Sequence, residues 1–169
     1  MKEDATNEKK ELKRRFLRLL FHTVLLAAAL YAAFGVVFRL WRVQGQEMFP
    51  AVHDGDLLLA SRRVKEWRRG DVVIYRAEGE RRIGRIVAVG TDKVSVTEDG
   101  RLLVNGALQT EEIFYPTEME SEEPVSVPEG TVYILGDNRS ACLDSRDFGP
   151  IPTTEIEGKV TDLFRRREL

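Results

Sequence analysis

The sequence predicts an all-β domain of antiparallel sheets carried behind a single N-terminal transmembrane helix. Two observations carry that expectation. Residues 19–38 read LLFHTVLLAAALYAAFGVVF, twenty residues without a single Asp, Glu, Lys or Arg, and at about 1.5 Å rise per residue they cover roughly the 30 Å of a bilayer core. From Trp41 onward, short β-prone apolar runs alternate with Gly, Pro and Asp, the punctuation of strands joined by turns. At 169 residues the chain accommodates one anchor and one modest domain.

The anchor comes first. Leu, Ala and Val surround every face of the 19–38 segment, and no second segment of that length exists to bury it. His22 and Thr23 stand near its first end, where a polar tip reaches the interface. Lys2, Lys9, Lys10, Lys13, Arg14, Arg15 and Arg18 precede the span, whereas only Arg39 and Arg42 follow closely. That bias predicts a cytoplasmic tail over 1–18 and an extracytoplasmic domain over 39–169. A cleaved signal peptide is the rival, with an apolar core of about 7–15 residues and a small-x-small cleavage site. No such site stands before Arg39 and Trp41. The reading is an uncleaved, single-pass anchor in the cell membrane.

The strands follow in order. Residues 56–60 and 71–75 are apolar runs, each entered from a Gly-Asp pair. Residues 82–89 mix Ile83, Ile86, Val87 and Val89 with Gly84 and Arg85. Residues 93–97 and 101–106 flank Asp99-Gly100, whose glycine tolerates positive φ, and so predict a hairpin. Residues 116–128 hold Glu118, Glu120, Glu122 and Glu123 and predict an exposed acidic loop, the end of a strand, hairpin and loop insert spanning 84–130. Residues 131–135 predict another strand, and 159–164 one that closes the sheet. The terminal Arg165-Arg166-Arg167 reads as a solvated tail, with contact to anionic lipid headgroups as the alternative.

Composition excludes several functions. Lys and Arg number 26 against 28 Asp and Glu, a net charge of −2, which does not suit a nucleic-acid partner. The single cysteine, Cys142, allows no internal disulfide and no Cys-x-x-Cys metal site. No cofactor and no metal are expected, and self-association is not legible in the sequence.

Three segments then stand out: 43–52, VQGQEMFPAV; 82–92, RIGRIVAVGTD; and 136–149, GDNRSACLDSRDFG. In this order behind an apolar span they resemble the type I signal peptidase family, S26. The first looks like that family's Ser-Met-x-Pro segment and the second like its Lys-Arg strand. The third is close to its Gly-Asp-Asn-Arg … Asp-Ser-Arg … Gly signature. The resemblance covers essentially the whole chain and implies a signal-peptidase-like β fold on a membrane anchor. It also implies a serine nucleophile activated by a lysine whose pKa burial has lowered.

The matching positions depart from that pattern. Glu47 stands where the serine would be, Gly84 where the lysine would be, and Cys142 where a supporting serine would be. Met48, Pro50, Arg85, Asp137, Asn138, Arg139, Asp144, Ser145 and Arg146 keep the scaffold, so the expectation is a degenerate dyad with no catalytic residue. Gln46 completes the groove segment. A carboxylate pair of Glu47 with Asp144 would need the two acids at about 3 Å. The resemblance pairs Asp144 with an arginine, Arg85 or Arg146. Cys142 as a substitute nucleophile lacks a base, because His22 lies in the span and His53 only a few residues past the motif. Ser61 and Lys65 lie nearby in sequence but lack the flanking motifs.

The intact scaffold predicts a groove that takes an extended peptide by strand addition, a mode that needs no nucleophile. Loss of a side chain at Gly84 is expected to enlarge the groove. Glu47 either sets a negative charge at its floor, favouring a basic or amide-rich segment, or is a spent position facing solvent or paired with Arg85. An acid and a glycine at these two places resemble the non-proteolytic signal-peptidase-like proteins of Gram-positive pilus assembly, although that group more familiarly carries aspartate. The resemblance implies an accessory factor or chaperone in protein secretion, whose partner is an extended segment of an exported protein such as a pilin. An active signal peptidase I with an unconventional site, and a signal-peptide-binding pseudoenzyme outside any pilus system, are the alternatives.

Overall fold

The computed structural model describes residues 2–97, 99–109, 123–140 and 142–165. It divides into two units, a helix up to Val37 and a β unit from Phe38 onward. Helix α1 runs Lys2–Val37, and its stretch Leu12–Val37, with mean hydropathy 2.0, is long and apolar enough to cross a membrane. The residues before the apolar run are helical too, as their content of Glu, Lys and Leu favours. The last residue of the predicted span, Phe38, already belongs to the first strand.

The β unit holds strands β1 (Phe38–Arg42), β2 (Leu57–Ser61), β3 (Val72–Ala77), β4 (Glu80–Val89), β5 (Lys93–Val96), β6 (Leu102–Val104), β7 (Ala107–Leu108), β8 (Val125–Ser126), β9 (Thr131–Leu135), β10 (Ile151–Pro152) and β11 (Ile156–Phe164). A one-turn helix α2 (Ser145–Phe148) precedes β10. Seven strands form one sheet in the order β1-β2-β11-β3-β4-β9-β10, and four form a second in the order β7-β6-β5-β8. The described pairs are all antiparallel. The all-β expectation holds.

The hairpin at 93–106 forms as expected, with Val94 opposite Val104 and Gly100 at φ 77° in the turn. The C-terminal strand does not close the sheet. β11 sits inside it, between β2 and β3, because its Val160 joins the core beside Leu58 and Ile83 while β1 and β10 take the edges. Of the acidic segment 116–128, residues 116–122 lie outside the described residues, as do Arg166 and Arg167 of the basic tail; its residues 125–126 form the short strand β8 rather than loop, paired with β5. Arg165 binds back onto Asp56 and the Ala51 carbonyl rather than standing in solvent alone.

Three apolar clusters build the core. Val87, Val94, Leu102, Val104, Tyr133 and Leu135 join the two sheets. Val73, Tyr75, Ile86, Val132, Ile134 and Ile151 fill one face of the large sheet. Val43, Met48, Val52, Leu58 and Ile83 seal the other beneath residues 43–52. Fully burying side chains of this size contributes about 1.5–3 kcal/mol each. The third cluster pins the loop that carries Glu47.

Candidate functional site

Met48 is fully buried, wedged among Val43, Val52, Leu58 and Ile83. That burial anchors the 43–52 loop between β1 and β2 and sets the backbone of its neighbours. The loop backbone is tied at both ends. Val43 N–H donates to the Asp56 carbonyl at 2.9 Å, and Gly55 N–H to the Val43 carbonyl at 3.0 Å. From the third motif, Asn138 donates its backbone N–H to the Glu47 carbonyl at 2.9 Å and its side-chain Nδ2 to the Gln46 carbonyl at 3.2 Å. Gly136 makes this approach possible. A Cβ there would fall 2.5 Å from Cys142 Sγ and 2.7 Å from the Glu47 carbonyl oxygen. Gln46 is exposed, Glu47 and Pro50 are half-buried.

The structure therefore brings the three motif segments together. Its contacts correct two expectations. Asp144 takes Arg146, one of the two arginines expected for it, whereas Arg85 does not meet Glu47. It clamps Asp137 through two hydrogen bonds of 2.7 and 2.8 Å and donates to the Gly70 carbonyl. Gly84 does not enlarge the groove either. It is buried, and a Cβ on it would lie 2.5 Å from Ile134 Cγ2, 3.2 Å from the Leu135 carbonyl oxygen and 3.4 Å from Tyr75 Cε1. The Ile134 side chain occupies that space.

Asp144 is the hub of the third motif. It is fully buried and caps α2. One carboxylate oxygen accepts the Arg146 backbone and Nε hydrogens, and the other accepts Gly136 N–H at 3.1 Å and the Cys142 thiol at 3.2 Å. Its acceptor capacity is thus committed, and the described hydrogen bonds include none between Asp144 and Glu47. Ser145, also fully buried, accepts Ile134 N–H at 2.9 Å. Cys142 donates to Asp144 and to the Asn138 carbonyl. Burial, with the Asp144 charge beside it, pushes its thiol up to about 12, so it stays protonated and unreactive at neutral pH.

Arg82, which sequence reasoning missed, faces Glu47. Its Nη1 stands 3.9 Å from Glu47 Oε1, too long for a hydrogen bond, while Nη2 binds Glu80 at 2.8 Å. The guanidinium lies 5.1 Å over the Phe148 ring, a favourable placement for a cation. Its Nε is buried with no hydrogen-bond partner among the described residues. The signal available in the sequence was period two, because Arg82 and Gly84 share one face of β4. Burial raises the Glu47 pKa, and the Asp144 charge adds to that rise. The Arg82 charge and the Ile83 backbone N–H oppose it.

One edge of β4 is partly unpaired among the described residues. Residues Glu80 to Arg85 pair with β3, but pairing with β9 begins only at Arg85. From Glu80 to Gly84 the second edge therefore has no strand beside it among the described residues, and Glu47 faces the Ile83 N–H there. An unpaired edge is a template for an added strand. Among the described lysines, Lys159 is engaged with Asp71 at 2.6 Å, and Lys65 and Lys93 are exposed. Ser61 pairs with Phe38 at the end of β2.

Fold and loops together define a two-sheet antiparallel scaffold on which residues 43–52, β4 and residues 136–140 and 142–146 meet. The sequence model of the family described as signal peptidase, peptidase S26, matches residues 13–164, and the chain belongs to that family. It is 31% identical to the signal peptidase I of Bacillus licheniformis over 96% of this chain and 93% of that protein. Signal peptidase I T of Bacillus subtilis (strain 168) is 30% identical over 76% of this chain and 74% of that protein. The probable thylakoidal processing peptidase 2, chloroplastic, of Arabidopsis thaliana is 36% identical over 69% of this chain, which spans only 35% of that protein. A crystal structure of a signal peptidase I from Enterococcus faecalis V583 aligns at 26% identity with a TM-score of 0.51, over 59% of this chain and all of that one.

Proposed function

We propose that this chain is a non-proteolytic member of its family, anchored by α1 with its β unit outside the membrane. In this reading it holds an extended segment of an exported protein along the partly unpaired edge of β4. The single observation behind this reading is the state of the two positions where the resemblance expects a serine and a lysine. One carries a carboxylate, and the other is a glycine whose side-chain space Ile134 fills. A peptide hydrolase needs a nucleophile and a base that removes its proton. Cys142 is held protonated, and Ser145 is buried and hydrogen-bonded to β9. The partly unpaired edge leaves main-chain hydrogen bonding available without that chemistry. Resemblance to the pilus-assembly proteins supplies the partner class: a pilin segment, held as by a chaperone.

The experiment has two parts. The full chain in detergent or bilayer is incubated with a signal-peptide substrate, and no turnover is expected. Turnover abolished by Glu47→Gln would overturn the reading. Deletion of the chain from its host should then remove polymerised pili from the cell surface. Normal pili in the deletion strain would count against the assembly role while leaving peptide binding standing.

The second reading, an active signal peptidase I, is favoured by the near full-length likeness to the Bacillus licheniformis enzyme. Measured cleavage in the first part of the experiment decides between the two.

A further inference from the structure

The motif segments are not the only charged feature of the β unit. The loop between β2 and β3 contains Arg62, Arg63, Lys65, Arg68 and Arg69 against two acids, Glu66 and the buried Asp71, which pairs with Lys159, in a chain whose net charge is −2. All five cations are exposed. Two are engaged: Arg69 chelates Asp92 at 2.6 and 3.0 Å, and Arg68 meets Glu66 at 3.3 Å. Arg62, Arg63 and Lys65 have no acidic partner among the described residues.

The loop is also held in place. Trp67 packs on the core cluster that contains Tyr75 and Ile134, and the Arg68 backbone N–H donates to Asp71 at 3.1 Å. Fixing a loop of this charge costs self-repulsion, which an anionic surface relieves.

The register says which end of the sheet carries it. Phe38 follows Val37, the last residue of the span-length helix, and Phe38 stands opposite Ser61. The chain therefore leaves β2 at the end where the helix joins. Lys159 pairs with both Ser61 and Val73, so the chain re-enters β3 at that same end. By chain continuity alone, the basic loop belongs to the end of the β unit that adjoins the anchor. Arg39, two residues past the helix, stands there as well.

We propose that the loop 62–69 docks on anionic phospholipid headgroups at the surface of the membrane that α1 crosses, through Arg62, Arg63 and Lys65. The inference rests on the reading of α1 as a membrane span. Each exposed cation near an anionic bilayer strengthens partitioning about fivefold, and the effect fades beyond a Debye length of about 8–10 Å.

The test uses the full chain and the variant R62Q/R63Q/K65Q, each reconstituted in nanodiscs of phosphatidylcholine mixed with phosphatidylglycerol. Phosphatidylglycerol retained per chain is measured after exchange with excess phosphatidylcholine. The wild-type chain is expected to retain several-fold more than the variant, and added salt should erase the difference. The basic residues of the N-terminal tail are the same in both, so only the difference is read. Equal retention at low salt overturns the proposal. Protection of the loop from trypsin by an added acidic polypeptide, with equal phosphatidylglycerol retention, would assign it to a protein instead. Failure of the span reading shows separately, as release of both chains from membranes by alkaline carbonate.

Discussion

Ile134 occupies the space that any side chain on residue 84 would need: a Cβ at Gly84 would lie 2.5 Å from Ile134 Cγ2. The two residues sit on neighbouring strands of one sheet, β4 and β9, and both are buried. A glycine at this position is therefore a packing partner of the isoleucine and not an empty slot, which bears on any attempt to rebuild a catalytic lysine.

Gly84→Lys alone should destabilise the chain by about 1–3 kcal/mol, the range for overpacking a closed core. Gly84→Lys with Ile134→Ala should recover part of that loss, a coupling expected of residues in contact. Thermal unfolding of the four chains in a double-mutant cycle measures it. Additive losses would show that Ile134 does not control the site. A rescue variant for proteolysis accordingly needs three changes, Glu47→Ser, Gly84→Lys and Ile134→Ala.

Glu47 should titrate above its ordinary value of 4.5, chiefly because burial disfavours its charge, with Arg82 opposing. Its pKa is raised in the folded chain, so its ionisation costs stability above the folded pKa. That cost disappears as the pH falls below the unfolded value. Glu47→Gln should therefore gain stability relative to the parent at neutral pH, with the gap closing in acid. A gap independent of pH would mean that the carboxyl is not held up by its surroundings.

Glu157 behaves in the opposite sense. It occupies a β-bulge of β11 and accepts hydrogen bonds from Arg39, Arg76 and Arg81. Burial opposes its charge, but the hydrogen bonds from Arg81 and Arg76 and the charge of Arg39 outweigh it and hold its pKa at about 2. The contribution to stability is complete above about pH 4.5 and is lost as the pH falls toward 2. Glu157→Gln should cost about 1–2 kcal/mol at pH 7, an amount reduced by solvent screening at half-exposed Arg76. The deficit should vanish in acid, as followed by urea unfolding across pH.

Cys142 should resist alkylation. With its thiol near 12 against an ordinary 9, the thiolate fraction at neutral pH falls by about a thousandfold. Iodoacetamide should label the denatured chain readily and the native chain hardly at all. Rapid native labelling would show that the contacts to Asp144 and the Asn138 carbonyl are not maintained.

The order of the strands along the chain, the Gly100 hairpin and the apolar helix were legible because each depends on local pattern: period-two alternation, a turn glycine, an uncharged run. The three motif segments were legible too, as fixed strings of residues around Glu47, Gly84 and Asp144. The Asp144–Arg146 pair was among the pairings expected, but the surroundings of Glu47 and Gly84 were not legible. Arg85, expected for Glu47, binds Asp137 instead, while the residue facing Glu47 is Arg82. Nothing in the local string records this, because it depends on which strand edge the 43–52 loop crosses.

By itself the sequence determined the anchor helix, most of the longer strands and the identities of the side chains at the site, which follow from pattern and spacing along one chain, and its three motif strings carried the resemblance to the family. Only the tertiary structure decided that β11 lies inside the sheet, that Ile134 fills the space before Gly84, and that the β4 edge from Glu80 to Gly84 has no strand beside it among the described residues. Those are facts about neighbours more than forty residues apart or on different strands. Packing and non-local hydrogen bonding set them, and neither leaves a periodic trace in the sequence.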